Sequence, residues 1–177
     1  MNLAFDRFPS PIGAILLVSD GTALRALDFH DHEERLHRLM ERQYGRVTLR
    51  PGPVPAAIVR ALEAYFGGDL AATRSIPVET GGTPFQRRVW AALRAIPDGE
   101  TTTYGAIART LGDLTLSRAV GHALGANPVP LIVPCHRVLG TGGKTGGFSS
   151  PGGVSAKMRM LALEHAASPT GQYAFGF

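Results

Sequence analysis

With 177 residues, 44% of them hydrophobic and 18% charged, the chain has the composition of a folded protein, long enough for one domain or two small ones. No apolar run nears the ~20 residues of a membrane helix, and the first residues carry no basic-then-apolar leader. One cysteine forms no internal disulfide, so a soluble, cytoplasmic, non-membrane protein is expected.

The net charge of +4 is unevenly placed. Residues 1–80 carry nine Arg against ten Asp plus Glu, whereas residues 81–177 carry nine Lys plus Arg against four. The second half is therefore the candidate to meet a polyanion, although an ordinary solvated basic surface has the same composition.

Ser10 to Phe29 reads as two strands around an Asp20-Gly21 turn, the second bracketed by Leu24, Leu27 and Phe29. His30 to Tyr44 is polar, with Leu36, Leu39 and Met40 on one helical face, and its histidines read as solvated surface rather than metal ligands. Val47 to Leu49 can add a third strand. Pro55 to Phe66 places Ile58, Val59, Leu62, Tyr65 and Phe66 at helical spacing before the Gly67-Gly68 stop.

Gly81-Gly82 marks a boundary. Thr83 is an N-cap followed by Pro84, and Phe85, Val89, Ala92, Leu93 and Ile96 then repeat at helical period up to Pro97-Asp98-Gly99. A second helix starts near Thr102 or Thr103, carries Tyr104, Ile107, Ala108 and Leu111, and stops at Gly112. The turn Gly112 to Thr115 leads to a third helix whose apolar face is Leu116, Ala119, Val120, Ala123 and Leu124, a helix-turn-helix pattern. Arg118, Gly121, His122 and Gly125 point away from that face. Each interior glycine costs a helix about 1 kcal/mol relative to alanine, so something must approach this backbone closely: a packed protein segment or a DNA groove.

Leu131 to Val133 reads as a short buried strand ended by Pro134, which leaves Cys135 where the strand opens into a turn. A lone cysteine in such a place is ordinarily a small buried hydrophobe. His136 and Arg137 beside it favour a thiolate, so both readings stay open on the residues alone. A last helix over 154–166 is expected to bury Val154, Met158, Leu161 and His165, with Glu164 on the flank of that face.

Pro134-Cys135-His136-Arg137-Val138 resembles the active-site signature of the O6-alkylguanine-DNA alkyltransferases, the methylated-DNA–protein-cysteine methyltransferases. Gly82-Thr-Pro-Phe-Gln-Arg-Arg-Val-Trp, Ile96-Pro-Asp-Gly-Glu-Thr-Thr-Thr-Tyr-Gly, Ser117-Arg-Ala-Val-Gly and Ala126-Asn127-Pro128 are similar to further motifs of that family, in its order and spacing. The likeness is strong over 82–166 and weaker at the front, where Ser10-Pro-Ile-Gly and Ala61-Leu-Glu-Ala-Tyr-Phe-Gly-Gly carry it.

The resemblance implies an α/β (α+β) protein. An N-terminal domain over 1–80 would hold a small antiparallel sheet plus helices, ribonuclease H-like. A mostly helical domain over 81–168 would carry a winged-helix-like helix-turn-helix, followed by a tail over 169–177. It implies stoichiometric transfer of an alkyl group from O6-alkylguanine in double-stranded DNA onto Cys135, leaving acceptance of O4-alkylthymine open, by a monomer using no cofactor and no metal.

In this resemblance His136 and Glu164 activate Cys135 through a water, Asn127 braces the turn, and Tyr104 contacts the flipped nucleotide. Arg118 fills the vacated space, with Thr103, Ser117, Ala119 and Gly121 also meeting DNA. Leu124, Val138, Phe148 and Ser149 line the guanine pocket. The loop over 146–153 is longer than the family's usual form, and Phe148 stands where many relatives have tyrosine. A non-catalytic protein that flags alkylated DNA, a cysteine hydrolase and a plain helix-turn-helix regulator are the competing readings.

Overall fold

Asn2–Phe8 (β1) is a strand that the hydrophobic pattern does not announce, because Asp6 and Arg7 interrupt its alternation. The computed structural model describes residues 1–140, 142 and 154–166. In it β1 lies inside a four-stranded sheet with Ile15–Ser19 (β2), Leu24–Phe29 (β3) and Thr48–Pro51 (β4), in the order β3-β2-β1-β4.

β2 pairs antiparallel with β3, as expected, and also with β1, but β4 joins β1 in parallel, so the sheet is mixed rather than wholly antiparallel. The parallel step follows from the connection: Glu33–Tyr44 (α1) crosses over between β3 and β4, and a parallel edge needs such a crossover. The β2–β3 turn is held by Asp20, whose Oδ1 accepts the amides of Thr22 and Ala23, with Gly21 in the left-handed region at φ 95°. Leu36 and Met40 of α1 pack with Leu3, Leu16, Val18 and Ala26 in one core cluster. Ala56–Phe66 (α2) buries Ile58, Ala61, Leu62 and Tyr65, and stacks Phe66 on Phe8 at 6.1 Å.

The outer edge of β3 is covered rather than left as an open template. Leu24 bonds to both sides of Val78, through Pro77 and Glu79, and Leu27 N–H donates to the Pro128 carbonyl at 2.8 Å. Residues 128–132 accordingly group with residues 1–82 in one compact unit.

The second unit holds residues 83–127 and the chain from Val133 onward. Pro84–Arg94 (α3) opens with the Thr83–Gln86 capping box and buries Val89, Trp90 and Leu93. Tyr104–Thr110 (α4) is capped by Thr103, whose hydroxyl accepts the Ala106 amide. Ser117–Gly125 (α5) follows a 3-10 turn over Leu114–Leu116. The Trp90 indole N–H donates to the Ala123 carbonyl at 2.9 Å and so ties α3 to α5. Thr102–Thr103 (β5) pairs in parallel with Val138–Leu139 (β6), and Val154–Leu163 (α6) completes the unit.

Candidate active site

Three prolines shape the backbone that presents Cys135. Leu131 to Val133 is buried, but it forms a turn and a bend rather than the expected strand. Pro128, Pro130 and Pro134 offer no ladder N–H, and Leu131 takes a left-handed φ of 78° that no strand accommodates. Pro134, at φ −79° and ψ 67°, is the centre of an inverse γ-turn closed by Cys135 N–H donating to the Val133 carbonyl at 2.8 Å. Cys135–Arg137 then makes a single 3-10 turn. The same Val133 carbonyl accepts the side-chain amide of Asn127 at 2.8 Å, so a fully buried asparagine pins this turn two residues before Cys135.

Cys135 is 7% exposed, and the next two side chains are buried with it. His136 Nε2 lies 2.8 Å from Glu164 Oε1. Because an ionised carboxylate only accepts, Nε2 carries the proton in this pair, and in the neutral ring Nδ1 is then the accepting nitrogen. Nδ1 is buried and has no hydrogen-bond partner among the described residues. Arg137 forks onto the same carboxylate, Nε donating to Oε2 at 2.9 Å and Nη2 to Oε1 at 3.1 Å. Its Nη1 donates to the Ile96 carbonyl at 3.2 Å and to Asp98 Oδ1 at 3.4 Å. Burial alone would raise Glu164, but its interactions with His136 and with the Arg137 guanidinium hold its carboxyl well below the usual carboxylate range.

Glu164 reaches this position differently from the sequence expectation. α6 ends at Leu163, and Glu164 sits in the turn after it. Of the side chains described here Lys157, Met160, Leu161, Glu164 and Ala166 are buried, while Met158 is half-buried and His165 is exposed, not buried; the side chain of Val154 lies outside the described ones. Two ionisable groups occupy the face where apolar periodicity predicted hydrophobes, because each meets a partner from a distant segment. Lys157 Nζ donates to the Val138 carbonyl at 2.6 Å, and burial pushes its pKa down to about 8, opposed by the Cys135 charge. Lys157 is a functional candidate that the sequence reading did not assign, and Arg137, read there as a charge beside the thiol, is turned onto Glu164. The available signal was that Lys157, Leu161 and Glu164 share one helical stripe.

Tyr104 opens α4 half-buried, and its phenol is pushed up by burial and then by the Cys135 charge. Gly121 on α5 faces that ring: a Cβ there would lie 3.9 Å from Tyr104 Cε1. Arg118 is exposed, and Ser117 and Ala119 are half-buried beside it. The Ser117 hydroxyl donates to the Leu114 carbonyl, and Thr103 serves as the α4 cap. Leu124 and Val138 are buried on α5 and β6. Phe148, Ser149 and the 146–153 loop lie outside the described residues. No group of three or more His, Cys, Asp or Glu side chains is placed to hold a metal ion among the described residues, and no helix there is long and apolar enough to cross a membrane.

Comparison with known proteins bears on this arrangement. Residues 5–80 match the ribonuclease-like domain, and residues 84–166 the DNA binding domain, of 6-O-methylguanine DNA methyltransferase. The chain is 39% identical over 170 residues to the methylated-DNA–protein-cysteine methyltransferase of Salmonella typhimurium, covering 93% of this chain and 96% of that one. It is 40% identical over 163 residues to the protein of that name from Mycobacterium tuberculosis, covering 90% and 91%. The crystal structure of Mycobacterium tuberculosis OGT in complex with DNA superposes with a TM-score of 0.76 at 38% identity, over 93% of each chain.

Proposed function

The chain belongs to the 6-O-methylguanine DNA methyltransferase family, and from that premise we propose that it repairs DNA directly, Cys135 taking the alkyl group from O6 of a damaged guanine. The observation that carries this reading is the buried array in which Glu164 holds His136 through Nε2 and leaves Nδ1 without a partner among the described residues, next in sequence to Cys135. The Cys135 proton passes to His136, through a bridging water on the family's route. The thiolate then attacks the alkyl carbon. A sulfur–carbon bond forms as the carbon–O6 bond breaks, and the electron pair leaves with guanine, which takes up a proton. A thiolate suits this displacement because it is strongly nucleophilic at modest basicity.

Tyr104 supplies a proton donor for the departing base, since burial and the nearby thiolate both keep its phenol protonated. The O6 carbon is out of reach inside a stacked duplex, so the nucleotide is flipped out. Arg118 occupies the space it leaves, on an α5 surface kept small by Ala119 and Gly121. The thioether product is stable, so each molecule acts once. The single cysteine must stay reduced to serve, which places the protein in a reducing compartment such as the cytoplasm.

Intact-mass analysis after incubation with an oligonucleotide bearing O6-methylguanine should show one added methyl group per protein, on Cys135. Cys135→Ala should bind the oligonucleotide and accept nothing. Methyl transfer persisting in that variant would remove the mechanism, and binding without transfer by the native protein would favour a protein that only flags lesions.

A further inference from the structure

We propose that Arg137 is a positioning residue for the transfer: its guanidinium, forked onto Glu164, keeps His136 neutral and therefore able to take the Cys135 proton. This rests on the reading of Cys135 as the alkyl acceptor.

A buried carboxylate requires a compensating charge. Two cations stand within reach of Glu164, a protonated His136 and Arg137, and both contact the same oxygen, Oε1, at 2.8 and 3.1 Å. If His136 alone had to neutralise Glu164, it would carry two protons at rest and both its nitrogens would be donors. Such a ring accepts nothing. Arginine stays charged at all relevant pH values, so Arg137 supplies the standing charge and leaves the imidazole neutral. The buried array then begins with one charge of each sign, and proton transfer from Cys135 adds one more of each. Its net charge is unchanged through the step that activates the nucleophile.

The other charged and titratable groups around the array fit this division. Asp98, from the α3–α4 turn, reaches Arg137 Nη1 and is partly open to solvent. Lys157, from α6, bonds to the Val138 carbonyl and interacts with Cys135. Tyr104, from α4, is neutral and also interacts with Cys135. The turn after α3 is the seat of the guanidinium. Ile96 offers its carbonyl to Nη1, and Gly99, at φ 77°, lies so close to Glu164 that a Cβ there would be 3.3 Å from the Glu164 carbonyl oxygen. This gives the Ile96-Pro-Asp-Gly stretch a role in the chemistry that its turn geometry alone does not reveal. A lysine would restore the charge but not the planar fork that binds carboxylate and turn together.

The test is the single-turnover rate of methyl transfer from an O6-methylguanine oligonucleotide, between about pH 5 and 7, where an imidazole titrates and Lys157, at about 8, stays almost wholly charged. The proteins compared are the native chain, Arg137→Met, Arg137→Lys and the double variant Arg137→Met/Glu164→Gln. Removing the guanidinium leaves His136 facing an unmatched carboxylate, so the midpoint of the acid limb should move up by about one pH unit or more. Arg137→Met should then lose about tenfold at the acid end and regain most of it as pH rises. Arg137→Lys should keep the native midpoint at a lower rate. The double variant, with no carboxylate left to neutralise, should return the midpoint toward the native value.

A rate lowered by the same factor at every pH would make Arg137 merely structural and overturn the proposal. Should the variants not fold, nitrogen-15 spectra of labelled histidine in the native protein decide: His136 protonated on both nitrogens at neutral pH overturns it, and an unprotonated Nδ1 supports it. Mass analysis separates the two levels. Methyl on Cys135 with an unshifted midpoint refutes the role of Arg137 alone, whereas transfer by Cys135→Ala refutes the reading beneath it.

Discussion

Asn127 and Cys135 meet at one carbonyl. The Val133 oxygen accepts the Asn127 side-chain amide and the Cys135 backbone N–H, each at 2.8 Å. The first bond closes residues 127–133 into a loop, and the second forms the γ-turn that aims the thiol. Asn127→Ala deletes the first and leaves the second, so Val133 keeps one donor and the fold survives. The cost should be on the order of 1–2 kcal/mol, the lost bond plus the unfilled space, read from the urea midpoint. The larger effect should fall on the rate of methyl transfer, because the γ-turn loses the brace that fixes its position. DNA affinity, which the proposed function assigns to α5, should change little. A variant that lost affinity and rate in equal measure would show that Asn127 supports the whole unit rather than the turn.

At the scale of the element, α5 carries a glycine that its own protein does not require. A Cβ at Gly121 would meet the Tyr104 ring at 3.9 Å, an ordinary van der Waals contact, whereas a Cβ at Gly81 would meet the Gln43 carbonyl oxygen at 2.7 Å. Gly121→Ala should therefore raise stability by up to about 1 kcal/mol while weakening binding to duplex DNA, a divergence visible by comparing thermal unfolding with fluorescence anisotropy. The helices around this site were legible because amphipathic spacing and caps are local: the Thr83 cap and the Gly112 stop stand where the sequence put them, and of the two threonines it offered for the next start Thr103 is the cap. Cys135 and His136 stood out through the Pro134–Val138 motif, whereas Glu164, which lies in no such motif, was named only through the family resemblance. β1 was not, since its burial comes from neighbouring strands on both sides rather than from its own alternation. Nor was the α6 face. The burial of Lys157 and Glu164 is made tolerable by Val138, His136 and Arg137, residues at least 19 positions away, and no window of sequence contains both halves of that compensation.

For the molecule as a whole, the same buried charges set how stability varies with pH. Asp20 and Glu164 are both held well below the usual carboxylate range. In each, burial opposes the shift; hydrogen bonds from Ala23, Thr22 and Arg25 overcome it at Asp20, and His136 and Arg137 do so at Glu164. A folded-state value below the unfolded one means stability that is fully present above about pH 4.5 and is lost as the pH falls toward the folded value. Lys157 adds a term at the other end. Its value falls from 10.5 to about 8 on folding, so between those limits the unfolded chain holds a proton that the folded chain has released. Stability should rise with pH across that window, while below about pH 8 the lysine is charged in both states and its burial penalty stands in full. Lys157→Met should abolish the rise without altering the acid limb, and Glu164→Gln should remove its own share of the acid limb, leaving that of Asp20, without altering the rise. Urea unfolding followed by fluorescence reads this directly. Trp90, the single tryptophan, is buried with its N–H on the Ala123 carbonyl, in the same unit as both ionisable groups. If the native protein showed no gain in urea midpoint between pH 8 and 10, the buried lysine would have to keep its proton in the fold, and its charge would then belong to the permanent field around Cys135.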